Sequence, residues 1–294
     1  MDVQDDLAQR FEEQRGRLRA VAHRMLGSPD EADDAVQETW LRLSRTGAEE
    51  VTNLPGWLTT VLSRVCLDLL RARAARREEP YEPPAPESSG AGNLPEEEAV
   101  LADSVGLALL VVLDRLTPAE RVAFVLHDLF AMPFEEVARV VDRSLPAAKK
   151  LASRARHKVR GGGNAVPGGG LDRRRRVVEA FLAAARGGDT AALLAVLAPE
   201  VVRHADPAVL PPGVPSELRG ARAVAEGTLL LRDRSRFGAV ALVDGAPGIV
   251  VAPGGRLLCV LRVVVDGERV ASYEVIADAR RLAAVEVRVL EGVR

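Results

Sequence analysis

Apolar residues recur at helical spacing through the first 78 residues, which predicts three amphipathic helices and an all-helical domain. The first helix should run from Asp5 to Leu26. The second opens at Ser28-Pro29-Asp30, where an acidic first turn suits the helix dipole. The third begins near Pro55, a residue favoured in a first helical turn, and ends in the basic string RARAARR.

A second helical segment is predicted from 96 to 160. The run LADSVGLALLVVLDRL is almost continuously apolar, so it should form a core helix. Thr117 and Glu120 have the spacing of a capping box, and the helix that they begin should cover Ala119 to Leu129.

This segment closes on a helix-turn-helix pattern. A short helix follows Pro133, a break falls at 142–144, and a second helix runs from Pro146 to Val159. Residues 132–160 carry eight basic and three acidic side chains, whereas the whole chain has a net charge of −2. The local excess favours DNA binding over the alternative of a solvated basic face. Cations and a hydroxyl share the outward face of the second helix: Lys149, Lys150, Ser153, Arg154 and Arg156.

The last segment, 171–294, changes pattern. Helices are predicted at Asp172–Arg186 and Asp189–Leu197, and after Pro199 the apolar residues alternate as they do in strands. Asp266-Gly267, between two alternating runs, predicts a hairpin turn. Two helices followed by a meander of about four to six strands predict an α+β layer fold, with the helices on one face of a curved sheet.

Two stretches of unusual composition separate these segments. Residues 79–95 are acidic and rich in Pro, Ser and Gly, so they are predicted to be a linker. Residues 161–170, GGGNAVPGGG, are predicted to be a flexible hinge. The chain is therefore multidomain, with two all-α domains at 1–78 and 96–160 and an α+β domain at 171–294.

Composition narrows the function classes. No apolar run is long enough for a membrane span, and the first residues lack the apolar core of a secretory signal. Cys66 and Cys259 lie far apart and the four histidines lack metal-ligand spacing, so we expect no metal and no cofactor. Isolated cysteines fit a reducing cytoplasm, and no membrane partner is expected.

Two helix faces of the first domain carry candidate binding groups. Asp34, Gln37 and Glu38 lie at i, i+3 and i+4, opposite Trp40, which indicates either a solvated face or a docking face for a basic partner. The third helix ends in cations, which favour either an exposed amphipathic helix or a surface for single-stranded nucleic acid. The candidates on that helix are Trp57, Arg64, Asp68 and Arg71.

Three strings carry a family resemblance: SPDEADDAVQETWLRL, NLPGWLTTVLSRVCLDLLRARAARRE and LTPAERVAFVLHDLFAMPFEEVARVVDRSLPAAKKLASRARHKV. In this order, around an acidic linker, they resemble the bacterial extracytoplasmic-function (group 4, sigma-70 family) RNA polymerase sigma factors. The third segment, from RRRRVVEAFLAAARGG onward, resembles the SnoaL-like branch of the NTF2-like fold. That fusion is similar to the sigma-J-type subgroup, in which such a domain follows the sigma core.

The resemblance implies a role for each candidate face. The first domain would be sigma region 2, the second sigma region 4, and the third a SnoaL-like domain that regulates them in cis. The acidic face of the second helix matches the surface that binds the β′ clamp of core RNA polymerase. The third helix matches the region that melts and reads the promoter −10 element, and the helix-turn-helix matches the −35 reader. An anti-sigma factor is compatible with this family but not required.

Two other functions stay open from the residues alone. A one-component helix-turn-helix regulator would sense a small molecule in the α+β cone of its NTF2-like domain, although it would need neither the acidic face nor the −10-type helix. An enzyme on the cone would need a pocket, for which the candidates are His204, Asp206 and Tyr273. We favour His204 as a polar residue at a strand end, so no catalytic residue is predicted.

Overall fold

The structure is a computed structural model, and it describes residues 3–46, 53–78, 104–160 and 169–290. Contacts divide the chain into two compact units. The first unit contains the helices before residue 79 together with Leu113–His157. The second contains the described residues from Lys158 onward together with the stretch that ends at Val112.

The division into units differs from the predicted domain boundaries in one respect. The helix before Leu113 groups with the second unit, although the sequence assigns it to the domain at 96–160. The predicted linker, 79–95, lies outside the described residues, as do positions 161–168 of the predicted hinge. The boundaries themselves therefore remain predictions.

Three helices open the first unit: α1 (Val3–Leu26), α2 (Pro29–Thr46) and α3 (Leu54–Glu78). Each packs against the other two. The apolar stripes predicted from the sequence form the buried faces, because burial in a helix follows the 3.6-residue period. The buried side chains of these stripes include Phe11, Leu18, Val21, Met25, Val36, Leu43, Leu58 and Leu62.

The next helices are α4 (Ser104–Leu113), α5 (Pro118–Phe124), α6 (Phe134–Val141) and α7 (Leu145–Arg160). The capping box is confirmed, since the Glu120 N–H donates to Thr117 Oγ1 at 3.4 Å and the Thr117 N–H donates to Glu120 Oε2 at 3.1 Å. The helix predicted over Ala119–Leu129 is present, but its second half is wider than an α-helix. A wider π-turn occupies Val125–Leu129, closed by the Phe130 N–H on the Val125 carbonyl at 3.2 Å.

A tight turn joins α6 to α7. Asp142 ends α6 with left-handed φ and ψ of 54° and 57°, a conformation that Asp tolerates better than most residues. The Arg143 N–H then donates to the Ala138 carbonyl at 3.0 Å, and Ser144 Oγ caps α7 by accepting the Ala147 N–H at 3.4 Å. The buried residues of α7 are Ala148, Ala152, Ala155 and Val159. The predicted helix-turn-helix is therefore confirmed in detail.

The second unit is an α+β layer, as predicted. Within the described part of this unit the strands are β1 (Leu197–Ala205), β2 (Glu217–Arg219), β3 (Gly238–Val243), β4 (Ala246–Val251), β5 (Cys259–Asp266), β6 (Arg269–Ile276) and β7 (Val287–Arg288). The helices are α8 (Gly169–Gly187), α9 (Thr190–Val196), α10 (Ala221–Leu229), α11 (Arg232–Ser235) and α12 (Ala279–Ala284). These seven strands form one sheet in the order β2-β1-β6-β5-β4-β3-β7, with β1 parallel to β6 and the other pairs antiparallel. The helix α8 packs against β3, β4, β5 and β6.

The sheet is larger than the predicted meander. Strands β3 to β6 form that meander. The elements β1, β2 and α10 were not predicted, because the stretch that contains them has many polar residues and prolines. The predicted turn is shifted by one residue, because Asp266 pairs with Arg269 and Gly267 takes the first loop position with a φ of +59°. Asp244-Gly245 turns between β3 and β4 with positive φ at both residues, as a type I′ turn requires.

Candidate functional site

The acidic face of α2 points outward. Asp34 and Gln37 are exposed and make no side-chain hydrogen bond to any described residue. Glu38 is half-buried, and its Oε1 accepts Arg42 Nε at 2.8 Å across one helical turn. Two of the three predicted groups therefore keep their hydrogen-bonding capacity for an external partner.

A groove between α1 and α2 lies beside this face. It has a volume of about 360 Å³ and is lined by Gln37 and Trp40 of α2 and by Phe11, Glu12 and Arg15 of α1, among others. Trp40 packs on Phe11 with ring centroids 5.0 Å apart. The expectation that Trp40 lies opposite the acidic face is wrong for Gln37, because residues at i and i+3 are neighbours on a helix.

The candidates on α3 share one helical face. Trp57 is half-buried, whereas Arg64, Asp68 and Arg71 are exposed, and their spacing of seven, four and three positions keeps them in one stripe. Arg71 Nη1 lies 3.6 Å from Asp68 Oδ1. Arg64 Nη2 donates to the backbone carbonyl of Arg139 on α6 at 3.1 Å. The stripe thus presents two guanidinium groups and one aromatic ring.

The outward face of α7 carries most of the predicted −35 set. Lys149, Lys150, Ser153 and Arg154 are all exposed. The Lys149 ammonium lies 5.8 Å from the centroid of the Phe134 ring, a cation–π distance that leaves its donors able to reach outward. Cations and a hydroxyl on the second helix of a helix-turn-helix are suited to phosphate contact and base-edge reading.

Arg156 has a partner within the chain. Its Nε lies 3.1 Å from Asp128 Oδ1 in the π-turn, where the Asp128 side chain is 12% exposed and the Arg156 side chain is 40% exposed. The ion pair engages one edge of the guanidinium, and a contact of Arg156 with the −35 element stays a prediction. His157 is exposed three positions after Arg154, so the helical period places it on the outward face that the sequence analysis assigned without it.

The three predicted pocket residues of the second unit do not lie together. Tyr273 lines an apolar cavity between α8 and the sheet, whereas His204 and Asp206 do not line it. His204 faces outward on β1, with its Nδ1 3.4 Å from Glu217 Oε2. In a strand, neighbouring residues point to opposite faces, so His204 is turned away from the core side occupied by Arg203, whereas Asp206 follows the last residue of β1.

Asp206 has a structural role instead. Its Oδ2 accepts the backbone N–H groups of Ala277 at 2.8 Å and Asp278 at 3.0 Å, and its Oδ1 accepts Arg281 Nη1 at 2.6 Å. Burial raises the pKa of Asp206, but these N–H groups and the Arg281 cation outweigh burial and hold the pKa below its usual value. The carboxylate therefore fastens the end of β1 to the segment that follows β6.

A buried arginine in the cavity is the functional group that the sequence analysis missed. Arg203 lies on β1 directly beside Tyr273 of the parallel strand β6, and both side chains are buried. Tyr273 Oη is 2.8 Å from Thr228 Oγ1. The signal was present in the alternation of Val201, Arg203 and Ala205, which would place Arg203 among core residues once β1 is recognised as a strand.

Known proteins share this organisation. Residues 11–76 match the family model described as sigma-70 region 2, and residues 106–159 match the model described as sigma-70, region 4. The chain is 38% identical over 288 residues to the ECF RNA polymerase sigma factor SigJ of Mycobacterium tuberculosis, covering 95% of this chain and 86% of that protein. It is 36% identical over 212 residues to the probable ECF RNA polymerase sigma factor SigI of the same species, covering 70% and 72%. The crystal structure of Mycobacterium tuberculosis SigJ matches with a TM-score of 0.45 at 33% identity, covering 94% of this chain and 98% of that one.

The helix-turn-helix, the helical domain before it and the two family models define a transcription factor of the sigma-70 type. The chain belongs to the family of ECF RNA polymerase sigma factors. It is accordingly a sigma factor that binds core RNA polymerase and promoter DNA and directs promoter-specific transcription initiation. Members of this family are not enzymes. Among the described residues, no helix is long and apolar enough to cross a membrane, and no cluster of His, Cys, Asp and Glu could hold a metal ion.

Proposed function

We propose that three separate surfaces divide the work of initiation. The acidic face of α2 binds the basic β′ clamp of core RNA polymerase, the stripe on α3 melts and reads the −10 element, and the outward face of α7 reads the −35 element. The assembly acts in the cytoplasm, where the polymerase is. An anti-sigma factor is compatible with these surfaces but is not needed by them.

The observation that carries this proposal is the exposure of the three sets. Asp34 and Gln37 on α2, and Lys150 and Arg154 on α7, are turned to solvent with their hydrogen-bonding groups available. A carboxylate that is unpaired in the free chain gains charge-assisted hydrogen bonds when a basic surface docks. Exposed cations on a recognition helix gain in the same way from DNA phosphates.

A triple substitution tests the polymerase surface. Asp34→Ala, Gln37→Ala and Glu38→Ala together should keep the fold, because within the described residues they remove one solvent-exposed ion pair, that of Glu38 with Arg42, worth about 0.3–0.5 kcal/mol. Removing one partner of a charge pair buried at an interface costs about 2–5 kcal/mol, so copurification with core polymerase and run-off transcription should both fall steeply.

Asp33→Ala is the matched control for this experiment. It removes a carboxylate from the same helix, but that carboxylate already pairs with Arg19 at 2.9 Å. The control should retain binding to core polymerase. Unchanged copurification of the triple variant would contradict the assignment of this face.

We further propose that the second unit regulates initiation in cis. A short tether keeps it at an effective concentration on the order of millimolar, so weak contacts with the sigma core or the polymerase are populated. Deleting residues 171–294 would also remove the partner of α4, which belongs to the same unit. A protease site inserted at 161–168 keeps every residue of the chain, so one folded sample can be assayed before and after cleavage. Run-off activity should change, in either direction, after cleavage.

The cavity chemistry favours regulation over catalysis. Burial raises the pKa of Tyr273 to about 12, and it raises the pKa of the Cys259 thiol, which lines the same cavity, to about 12. A general acid or base works best with a pKa near the operating pH. These two groups are therefore poor proton carriers near neutral pH, and the second unit is proposed not to be an enzyme.

A further inference from the structure

One charged group in the second unit has no counter-ion among the described residues. Arg203 is 1% exposed, and its Nε and Nη1 make no hydrogen bond to any of them. Its Nη2 donates to the Pro215 carbonyl. Burial lowers the pKa of Arg203, but a guanidinium remains charged in a protein. A buried cation with two unsatisfied nitrogens is costly unless an anion joins it.

The cavity supplies no anion from its described walls. Its lining contains Arg203 and Arg234 but no Asp or Glu. Arg234 is exposed, and its Nη1 donates to the Val209 carbonyl at 2.6 Å, so it adds a second positive charge from the rim of the cavity. The electrostatic environment is therefore one-sided, and it favours a negatively charged occupant.

The Thr228 and Tyr273 hydroxyl groups in the cavity already have hydrogen-bond partners within the chain. Thr228 Oγ1 donates to the Val224 carbonyl at 2.7 Å, so the Tyr273 hydroxyl donates to Thr228. Arg203 is left as the group with unsatisfied donors. The other walls are mostly apolar, with Phe181 and Leu261 among them, and the cavity has a volume of about 70 Å³. Such walls suit a ligand whose body is hydrophobic.

The fold makes room for the guanidinium at a specific place. Gly227 lies inside α10, where glycine weakens a helix relative to alanine. A Cβ at this position would lie 3.3 Å from Arg203 Nη1 and would clash with the Leu218 side chain. The glycine therefore lets α10 close over the buried arginine.

We propose that this cavity binds a small organic carboxylate, with the carboxylate on Arg203 and an apolar body against the hydrophobic walls. Planar guanidinium and carboxylate groups match each other in shape and charge. A ligand of this class satisfies both the buried charge and the apolar lining. The residues of this site are different from those of the proposed polymerase and promoter surfaces, so the proposal does not depend on the assignment of those surfaces.

Calorimetric titration of the full chain with benzoate tests the site, since benzoate has both required parts. Benzamide has the same size without the charge, and inorganic phosphate has charge without the apolar body. Benzoate should bind at millimolar concentration or tighter, and each comparison ligand should bind at least tenfold more weakly. Equal binding of benzamide or of phosphate would overturn the proposal, as would no benzoate binding at about 10 mM, on the order of the weakest affinity expected for so few atoms.

Variants locate the binding in the cavity. Arg203→Met should weaken benzoate binding at least tenfold, on the order expected for losing a charged hydrogen-bond partner. Arg222→Met is the control, because that arginine is 88% exposed on α10 and pairs with Glu226. Ala185→Leu fills the cavity while keeping Arg203, and it should block benzoate even if Arg203→Met fails to fold. Full benzoate affinity in Ala185→Leu would overturn the proposal.

Discussion

Arg64 in the middle of α3 donates its Nη2 hydrogen bond to the backbone carbonyl of Arg139 on α6, at 3.1 Å. The contact joins the helix proposed to read the −10 element to the helix-turn-helix proposed to read the −35 element. Positions −35 and −10 are about 25 base pairs apart, which is roughly 85 Å along B-DNA at about 3.4 Å per base pair. Two helices in contact cannot span that distance, so the proposed assignments require this hydrogen bond to break when both elements are bound.

A reversible cross-link tests this requirement. In Arg64→Cys/Arg139→Cys, a short cleavable bismaleimide should join α3 to α6 and abolish run-off transcription from a promoter with both elements. Cleaving the linker should restore the activity. The native thiols should not interfere, because burial raises the pKa of Cys66 and of Cys259 to about 12.

The cleaved sample is the reference for this experiment, since it carries the same two substitutions. Any effect of removing the Arg64 side chain from the DNA surface is therefore common to both samples. Equal transcription before and after cleavage would show that α3 and α6 stay together during initiation.

Two cations of α7 should behave differently when replaced. Lys150 is exposed, so Lys150→Ala should weaken promoter binding by the holoenzyme and reduce the slope of log affinity against log salt by about one. Arg156 is held by Asp128, so Arg156→Ala should leave that slope unchanged and lower the free energy of unfolding by about 1 kcal/mol.

Fluorescence anisotropy of labelled promoter DNA at several salt concentrations measures the first effect, and urea denaturation measures the second. A reduced salt slope in Arg156→Ala would mean that the ion pair with Asp128 opens on DNA. An unchanged slope in Lys150→Ala would indicate that the outward face of α7 does not meet phosphate.

Arg156 and Arg203 show which features of the structure cannot be predicted from the sequence alone. The buried stripes of α1 to α3 and the helix-turn-helix follow from periodicity, because local spacing decides which side of a helix is buried. The ion pair of Arg156 depends on Asp128, which lies on a π-turn that periodicity does not reveal. The burial of Arg203 depends on α10 and on Tyr273, which is 70 positions away, so only the tertiary fold reveals it.

Asp206 should contribute to stability through its charge. Asp206→Asn should lower the free energy of unfolding by about 2 kcal/mol at pH 7, because charged hydrogen bonds to Ala277, Asp278 and Arg281 are removed. The folded-state pKa lies below the ordinary carboxyl value of 3.8, so this contribution is complete above that pH and is lost as pH falls through the folded-state pKa.

The difference between the wild-type chain and Asp206→Asn should therefore be constant from pH 8 to about 5. Urea denaturation followed by far-ultraviolet circular dichroism measures it. Glu226→Gln is the control, since that carboxylate is exposed and its pair with Arg222 contributes little. A difference that disappears between pH 8 and about 5 would contradict the role given to Asp206.

Two glycines should report separately on the two units. A Cβ on Gly248 in β4 would lie 2.5 Å from the backbone carbonyl oxygen of Leu261, which the paired strand holds in place. Gly248→Ala should therefore cost about 2–3 kcal/mol. Gly16 lies inside α1, where a Cβ would meet no described atom within 4 Å, so Gly16→Ala should stabilise the first unit by about 0.5–1 kcal/mol.

The chain carries its own probes for this comparison. Both tryptophans, Trp40 and Trp57, lie in the first unit, so tryptophan fluorescence follows the unfolding of that unit alone. Gly16→Ala should move the midpoint of the fluorescence transition to higher urea. Gly248→Ala should leave that midpoint unchanged and move the midpoint of the second unit's transition, followed by circular dichroism, to lower urea. If Gly248→Ala moved both transitions equally, the two units would unfold as one cooperative body, because only coupled units share the cost of a local clash.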